Sequence, residues 1–197
     1  MSGELMTEST RRRLTGRQAD TVRRLTDAAV EEIRETGFDG LTVRNVARRA
    51  GVAPATAYTY FTSKNHLITE VFWRRLGALP PLEPAPGRPR ERVVAVLREI
   101  ALLLSDEPEL AAACTTAMLG SDPDVQELRL RIGRTIRRRL VAALSPGAEG
   151  GPLPGTEARV INALEFAYAG ALVHAGMGST SYAEMADRLT EVAELLL

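Results

Sequence analysis

The side chains with the clearest chemical capacity lie in residues 42–64, TVRNVARRAGVAPATAYTYFTSK. Tyrosine hydroxyls, arginine guanidinium groups and the lysine ammonium group commonly donate hydrogen bonds to phosphate oxygens. This segment carries all three types, at Arg44, Tyr58, Tyr60 and Lys64. The grouping is compatible with nucleic-acid binding, and both tyrosines have the alternative of packing in a core.

Two short helices joined by a tight turn are predicted to position these groups. Apolar residues recur at helical spacing in residues 43–50, and Thr42 is suited to cap that helix through its hydroxyl. Gly51 follows, where a helix commonly ends in a left-handed conformation that glycine adopts without steric penalty. Pro54 suits the first position of a second helix, which continues through Tyr58. Helix, glycine turn and helix together predict a helix-turn-helix.

On these residues the sequence resembles the TetR family of bacterial transcriptional regulators. The resemblance covers about the first third of the chain. It rests on a helix ending at Gly37-Phe38, the stretch LTVRNVARRAGVA, a recognition helix with Thr56 and Tyr58-Thr59-Tyr60-Phe61, and Ser63-Lys64 opening a fourth helix. The resemblance implies an all-α fold, with an N-terminal three-helix DNA-binding domain and a divergent C-terminal helical domain for ligand binding and dimerisation.

The resemblance also implies which residues contact DNA. Tyr58, Tyr60 and Lys64 would bind phosphates, with Thr42 and Arg44 contributing from the preceding helix. The recognition helix has no Arg, Lys, Asn or Gln for a bidentate base contact, so specificity should depend on thymine methyl groups, DNA shape and dimer spacing. The full set of candidate DNA-contacting residues is Thr42, Arg44, Ala53, Pro54, Ala55, Thr56, Tyr58, Thr59, Tyr60 and Lys64.

Two positions depart from the family pattern. Ala53 stands where the family often has serine, and the loss of that helix cap should cost about 1 kcal/mol. Ala57 stands where a larger aliphatic residue is common, which leaves less core volume. These departures affect the individual contacts and not the class of protein.

Charge gives weaker support for nucleic-acid binding. The chain balances 25 basic against 25 acidic residues, so its formal net charge is zero. Residues 1–77 hold thirteen basic and nine acidic residues, which leaves the N-terminal part mildly positive. Within it, Arg11-Arg12-Arg13 is either a solvated tail or an arm for a DNA minor groove.

Catalysis and metal binding find little support in the sequence. Cys114 is the single cysteine, which excludes an intramolecular disulfide and fits a reducing cytosol. The two histidines, His66 and His174, are too few for a His-based metal cluster, and there is no glycine-rich phosphate loop. No apolar run approaches a membrane span or a signal peptide. We therefore expect a soluble cytoplasmic protein without enzyme activity, cofactor or membrane partner.

The remaining helices suggest a second domain. We expect a flexible basic arm over residues 1–16, a DNA-binding domain over 17–63 and a ligand-binding and dimerisation domain over 64–197, with 64–79 as the connecting helix. Five prolines in residues 79–89 separate that helix from the rest. The six arginines of the amphipathic stretch 124–144 either face nucleic acid or form a solvated face paired with acids.

A mostly apolar pocket is expected between the C-terminal helices, and a homodimer is expected through the last two of them. Each candidate lining residue has the alternative of a plain core role. The candidates are Cys114, Thr115, Met118, Phe166, Tyr168, His174 and Met177.

The sequence predicts a ligand-responsive transcriptional regulator. Repression is favoured, with an apolar or amphipathic effector releasing the protein from a palindromic operator in double-stranded DNA, and activation stays open as the alternative. Two rival hypotheses remain at this point. One is a thiol-dependent enzyme using Cys114, and the other is an interaction module whose helix-turn-helix no longer binds DNA.

Overall fold

The computed structural model describes residues 8–9, 12–13, 16–81, 87–148 and 153–197. Nine α-helices form the fold of this part of the chain, which confirms the all-α prediction. One short antiparallel pair joins β1 (Glu8–Ser9) to β2 (Arg12–Arg13). Gly16, the last residue of the predicted basic arm, already begins a helix, and the rest of the arm, including Arg11, lies outside the described residues.

The chain divides into two compact units. The first contains Met1–Pro80 and Glu107–Ile132, and the second contains Pro81–Asp106 and Gly133–Leu197. The first unit therefore includes a segment that is separated from it in sequence. No helix among the described residues is long and apolar enough to cross a membrane.

Five complete helices and the first half of a sixth make up the first unit. The complete ones are α1 (Gly16–Gly40), α2 (Val43–Arg49), α3 (Pro54–Tyr60), α4 (Lys64–Ala78) and α6 (Pro108–Met118). The sixth is α7 (Pro123–Leu144), whose second half belongs to the second unit.

Helix α1 buries one apolar stripe. Val22, Leu25, Ala29 and Ile33 are at most 1% exposed. Gly37 interrupts the helix with φ 68° and ψ 175°, and helical hydrogen bonding resumes as far as Gly40. The predicted end at Gly37 is therefore a kink inside the element, because glycine adopts positive φ without a Cβ clash.

The second unit is built from α5 (Pro89–Ala101), the second half of α7, α8 (Gly155–Gly176) and α9 (Tyr182–Leu196). Helix α9 packs against both α5 and α8. Helix α5 ends at Ala101, and the chain tightens into turns over residues 102–106.

Three of the arginines of α7 pair with acidic residues. Arg137 lies 2.6 Å from Glu165 of α8, and Arg139 pairs with Glu99 of α5. Arg131 pairs with a glutamate on its own helix, at 2.7 Å. These contacts favour the paired, solvated face over a nucleic-acid contact for this helix.

Candidate nucleic-acid interface

Local contacts build the turn between α2 and α3 as the sequence predicts. The Thr42 hydroxyl accepts a hydrogen bond from the backbone N–H of Asn45 at 3.1 Å, which caps α2. Gly51 takes φ 62°, the left-handed conformation expected after the first helix. Pro54 begins α3, and Ala53 before it provides no side-chain cap. The helix-turn-helix geometry is therefore confirmed.

A contact from α1 also stabilises this turn. Arg24 Nη2 donates to the carbonyl oxygens of Ala50, at 2.5 Å, and Gly51, at 3.2 Å. A Cβ atom on Gly51 would lie 3.2 Å from the same nitrogen, so a side chain there would press on the contact. The sequence gives no local signal of this contact, because the partners are 26 residues apart.

A cluster of ion pairs ties α2 to α1. Arg49 Nε lies 2.8 Å from Glu32 Oε2, and its Nη1 donates to Glu35 Oε1 at 2.9 Å. Glu32 is 5% exposed, so this charge pair is partly shielded from solvent. The hydrogen bond from Arg49 lowers the pKa of Glu35. Arg49 is therefore committed to positioning α2.

The exposed surface of the recognition helix, α3, consists mostly of methyl groups. It offers few hydrogen-bond donors that are not already used within the helix. Thr59 Oγ1 already donates to the carbonyl of Thr56 at 2.6 Å. Tyr58 is 48% exposed, the largest aromatic surface on this helix. The exposed positions are Ala53, Pro54, Ala55, Thr56, Tyr58 and Thr59.

The structure differs from the sequence expectation at Tyr60. This residue is 5% exposed, whereas a phosphate contact was expected of it. Ala57, three residues earlier and on the same face of α3, is fully buried, as is Phe61. A seven-residue helix presents its i and i+3 positions to the same side, so the ring of Tyr60 turns into the core.

Lys64 is largely occupied inside the first unit. Its Nζ donates to the carbonyl oxygen of Phe38 at 2.9 Å, lies 3.5 Å from that of Asp39, and is 4.4 Å from the Phe38 ring centroid. These contacts hold the start of α4 against the end of α1. An ammonium group has three donors, so one remains for an external acceptor.

Two cations on α2 remain available. Arg44 and Arg48 are exposed, and neither has an ion-pair or hydrogen-bond partner in the part of the chain that the structure describes. They are four residues apart and share one face of α2. Arg48 was not among the sequence candidates, although its spacing from Arg44 was a usable signal that the two share a face.

The candidate ligand residues fall into both units. In the first, Cys114, Thr115 and Met118 are all buried, and Cys114 Sγ lies 3.7 Å from the Ile68 carbonyl. Burial raises the pKa of the Cys114 thiol. A buried thiol with a raised pKa is a poor nucleophile, which weighs against the thiol-enzyme hypothesis.

The second unit contains the other four ligand candidates, Phe166, Tyr168, His174 and Met177. Of these only Tyr168 is buried, whereas Phe166 is 82% exposed and Met177 is 65% exposed. His174 lines an open cleft of about 210 Å³ with Ser179 and other residues between the ends of α8 and α9. The described residues contain no group of three or more metal-ligating side chains close enough to hold a metal ion.

Comparison with known proteins agrees with this geometry. The family described as bacterial regulatory proteins, tetR family, matches residues 25–71. An uncharacterized HTH-type transcriptional regulator of Mycobacterium tuberculosis is 49% identical over 183 residues, which cover 92% of this chain and 82% of that protein. The HTH-type transcriptional repressor KstR of Rhodococcus jostii is 29% identical over 130 residues, 65% of this chain and 61% of the repressor.

Solved structures share the fold. A TetR transcriptional regulator from Rhodococcus sp. RHA1 superposes with a TM-score of 0.71 and 25% identity, covering 88% of this chain and 95% of that one. The regulator FadR of Bacillus subtilis, solved with stearoyl-CoA, gives a TM-score of 0.63 at 19% identity, covering 87% and 96%. With its helix-turn-helix, its exposed recognition helix and these relatives, the chain belongs to the TetR family of bacterial transcriptional regulators.

Proposed function

We propose that this regulator is a homodimeric repressor that leaves a palindromic operator when a small apolar or amphipathic effector binds. The observation that carries the proposal is the first unit's surface, where an exposed, methyl-rich α3 lies next to two exposed arginines of α2 that pair with no described residue. A relative that is named as a repressor, KstR, supports repression over activation.

The phosphate contacts are assigned to exposed residues around the turn. Arg44 and Arg48 offer guanidinium groups that no described residue neutralises, and the half-exposed Tyr58 offers a hydroxyl. Thr42 is exposed at the start of α2, and Lys64 retains one donor. Contacts of this kind fix the register of a protein on DNA without selecting a sequence.

Base contact is assigned to residues 53–59. The methyl groups of Ala53, Ala55 and Thr56 suit the C5-methyl group of thymine, and the Thr56 hydroxyl is the available hydrogen-bonding group. Tyr60 takes a positioning role, because its ring is buried beneath this surface.

Dimerisation is assigned to α8 and α9, which carry large exposed apolar side chains. Phe166 is 82% exposed and Leu195 is 86% exposed, and such side chains favour burial against a second copy. A two-fold dimer would place two recognition helices in successive major grooves, roughly 34–36 Å apart.

The effector is assigned to residues 64–197. Met118, in the first unit, and Tyr168, in the second, are separate buried candidates there. FadR of Bacillus subtilis, which shares the fold, was solved with stearoyl-CoA, an amphipathic molecule. If the effector weakens operator binding, linkage requires the operator to weaken effector binding by the same factor.

Footprinting on the gene's own upstream DNA, followed by a salt titration, tests this function. A repressor should protect two half-sites one helical turn apart and show a steep negative slope of log K against log salt. Repeating the footprint with a panel of hydrophobic and amphipathic compounds should identify the effector as the compound that removes protection. Equal affinity for random DNA, or no binding at low salt, would leave the interaction-module hypothesis standing.

A further inference from the structure

The turn that follows the recognition helix is held by two acidic residues at the start of α7. Thr62, two residues beyond the end of α3, donates its hydroxyl hydrogen to Asp124 Oδ2 at 2.7 Å. Beside it, Asn65 Nδ2 of α4 donates to Asp122 Oδ2 at 3.3 Å. The partners are 57–62 residues apart in sequence, and both contacts lie within the first unit. We call these four residues the α7 clamp.

A buried histidine connects the α7 clamp to the end of α3. The backbone N–H of Thr62 donates to His66 Nδ1 at 3.3 Å, and Asp124 Oδ2 lies 3.6 Å from the same nitrogen. The ring of His66 is fully buried and meets Phe61, the C-cap residue of α3, edge to face with the centroids 5.3 Å apart. Phe61 is fully buried as well, and its N–H donates to the carbonyl of Ala57 at 2.9 Å. Because these groups are close-packed, a displacement at Asp124 acts on the C-terminal end of the recognition helix.

The loop that leads into α7 is itself fixed in place. A Cβ atom on Gly120 would lie 2.9 Å from Asn65 Nδ2 and 3.3 Å from Asp122 Oδ2, so the loop passes close to this contact. Arg129 of α7 donates to the carbonyl of Met118 at 2.7 Å, which ties α7 to the end of α6. The acids of the α7 clamp therefore project from a connected pair of helices and not from a free loop.

We propose that Asp124 is a positioning residue for DNA binding. Its carboxylate holds the turn between α3 and α4, and so fixes the direction in which α3 meets the major groove, without itself contacting DNA. The inference rests on the proposed contact of α3 with DNA. It adds a residue from far outside 17–63, the range to which the sequence analysis confined the DNA-binding domain.

Amide hydrogen exchange of the intact protein, without DNA, tests whether this carboxylate holds the turn. Asp124→Ala removes the acceptor of the Thr62 hydroxyl, so peptides covering residues 54–66 should exchange about fivefold faster, as expected for the loss of one hydrogen bond. Thr62→Val removes the donor of the same bond and should have the same effect. Asp124→Asn keeps an oxygen acceptor and should exchange at the wild-type rate. Unchanged exchange in both Asp124→Ala and Thr62→Val would overturn the proposal.

Affinities for operator and random DNA separate positioning from charge. Asp124→Ala makes the protein more positive, which by itself would tighten binding to any duplex. Loss of the fixed direction of α3 should instead weaken operator binding about fivefold, while binding to random duplex is not weakened. The probes are the upstream DNA protected in the footprint and a random duplex of the same length.

Glu127→Ala is the matched control. Glu127 lies on the same helix as Asp124 and pairs with Arg131 at 2.7 Å, so this variant removes one negative charge while the α7 clamp stays intact. It should exchange like the wild type and bind the operator at least as tightly. Urea denaturation establishes that each variant is folded under the binding conditions. Equal weakening of operator binding by Asp124→Ala and Glu127→Ala would overturn the proposal.

A double variant tests whether the two partners act through one contact. Asp124→Ala combined with Thr62→Val should weaken operator binding no more than either change alone. Additive effects, equal weakening on operator and random DNA, or faster exchange with unchanged operator affinity would each refute the positioning role. If the wild type has no operator, the proposed function fails, whereas the exchange rates still decide whether Asp124 holds the turn.

Discussion

Replacement of Gly51 by alanine tests how the turn of the helix-turn-helix is stabilised. The residue has φ 62°, where a Cβ atom costs about 1 kcal/mol or more relative to glycine. The new Cβ would also lie 3.2 Å from Arg24 Nη2, which hydrogen-bonds the carbonyls of Ala50 and Gly51. Loss of these exposed, charge-assisted bonds adds about 1 kcal/mol. We therefore expect Gly51→Ala to destabilise the protein by about 2 kcal/mol.

Gly178 provides a matched control. It has a similar positive φ of 74°, but a Cβ atom built there meets nothing within 4 Å. Gly178→Ala should therefore cost only the conformational part, about 1 kcal/mol. Urea denaturation followed by circular dichroism gives the free energy of unfolding of both variants.

A double-mutant cycle with Arg24→Gln isolates the contact itself. If the Arg24 contact is the source of the extra cost, Gly51→Ala should be about 1 kcal/mol less destabilising in the Arg24→Gln background. Equal costs for Gly51→Ala and Gly178→Ala, together with additive effects of Gly51→Ala and Arg24→Gln, would refute this account of the turn.

Three further predictions follow from the same unit. Arg44→Gln and Arg48→Gln should each reduce the slope of log K against log salt by about 0.9, as expected for the loss of one phosphate contact; an unchanged slope in both would remove them from the interface. Arg49 lowers the pKa of Glu35 in the folded state. The ion pair therefore contributes its full stabilisation of the folded protein above the ordinary glutamate pKa of about 4.3. This contribution is lost as the pH falls through the lowered pKa. Thermal melts from pH 7 to pH 3 should show a shallower decline for Glu35→Gln than for the wild type. Native Cys114 should react with a thiol reagent far more slowly than the urea-unfolded chain, because burial raises its pKa, and equal rates would contradict its buried position.

Short-range signals made much of the helix-turn-helix predictable. A hydroxyl cap at Thr42, a left-handed glycine at Gly51 and a first-turn proline at Pro54 each act on the backbone within a few residues. Their effect depends little on the rest of the fold, so the sequence alone was sufficient to predict them.

Contacts between distant residues were not predictable in this way. Arg24 and Arg49 are two among many arginines of the chain, and their partners lie 14–27 residues away. Tyr60 could not be assigned to the core from periodicity, because a seven-residue helix gives too few repeats to define its buried face. The direction of these side chains depends on how α1, α2 and α3 pack together.

The composition of α3 makes a last prediction about how the operator is recognised. A bidentate base contact contributes about 1–3 kcal/mol of discrimination, and residues 53–59 contain no side chain able to make one. Contacts with thymine methyl groups must then provide more of the sequence specificity. Each such contact contributes about 0.8 kcal/mol to the binding free energy, or roughly fourfold in Kd. Replacing individual operator thymines by uracil removes only the methyl group and should weaken binding by about this factor at the contacted positions. If no uracil substitution in either half-site changes Kd, α3 does not contact thymine methyl groups, and sequence preference must arise from DNA shape alone.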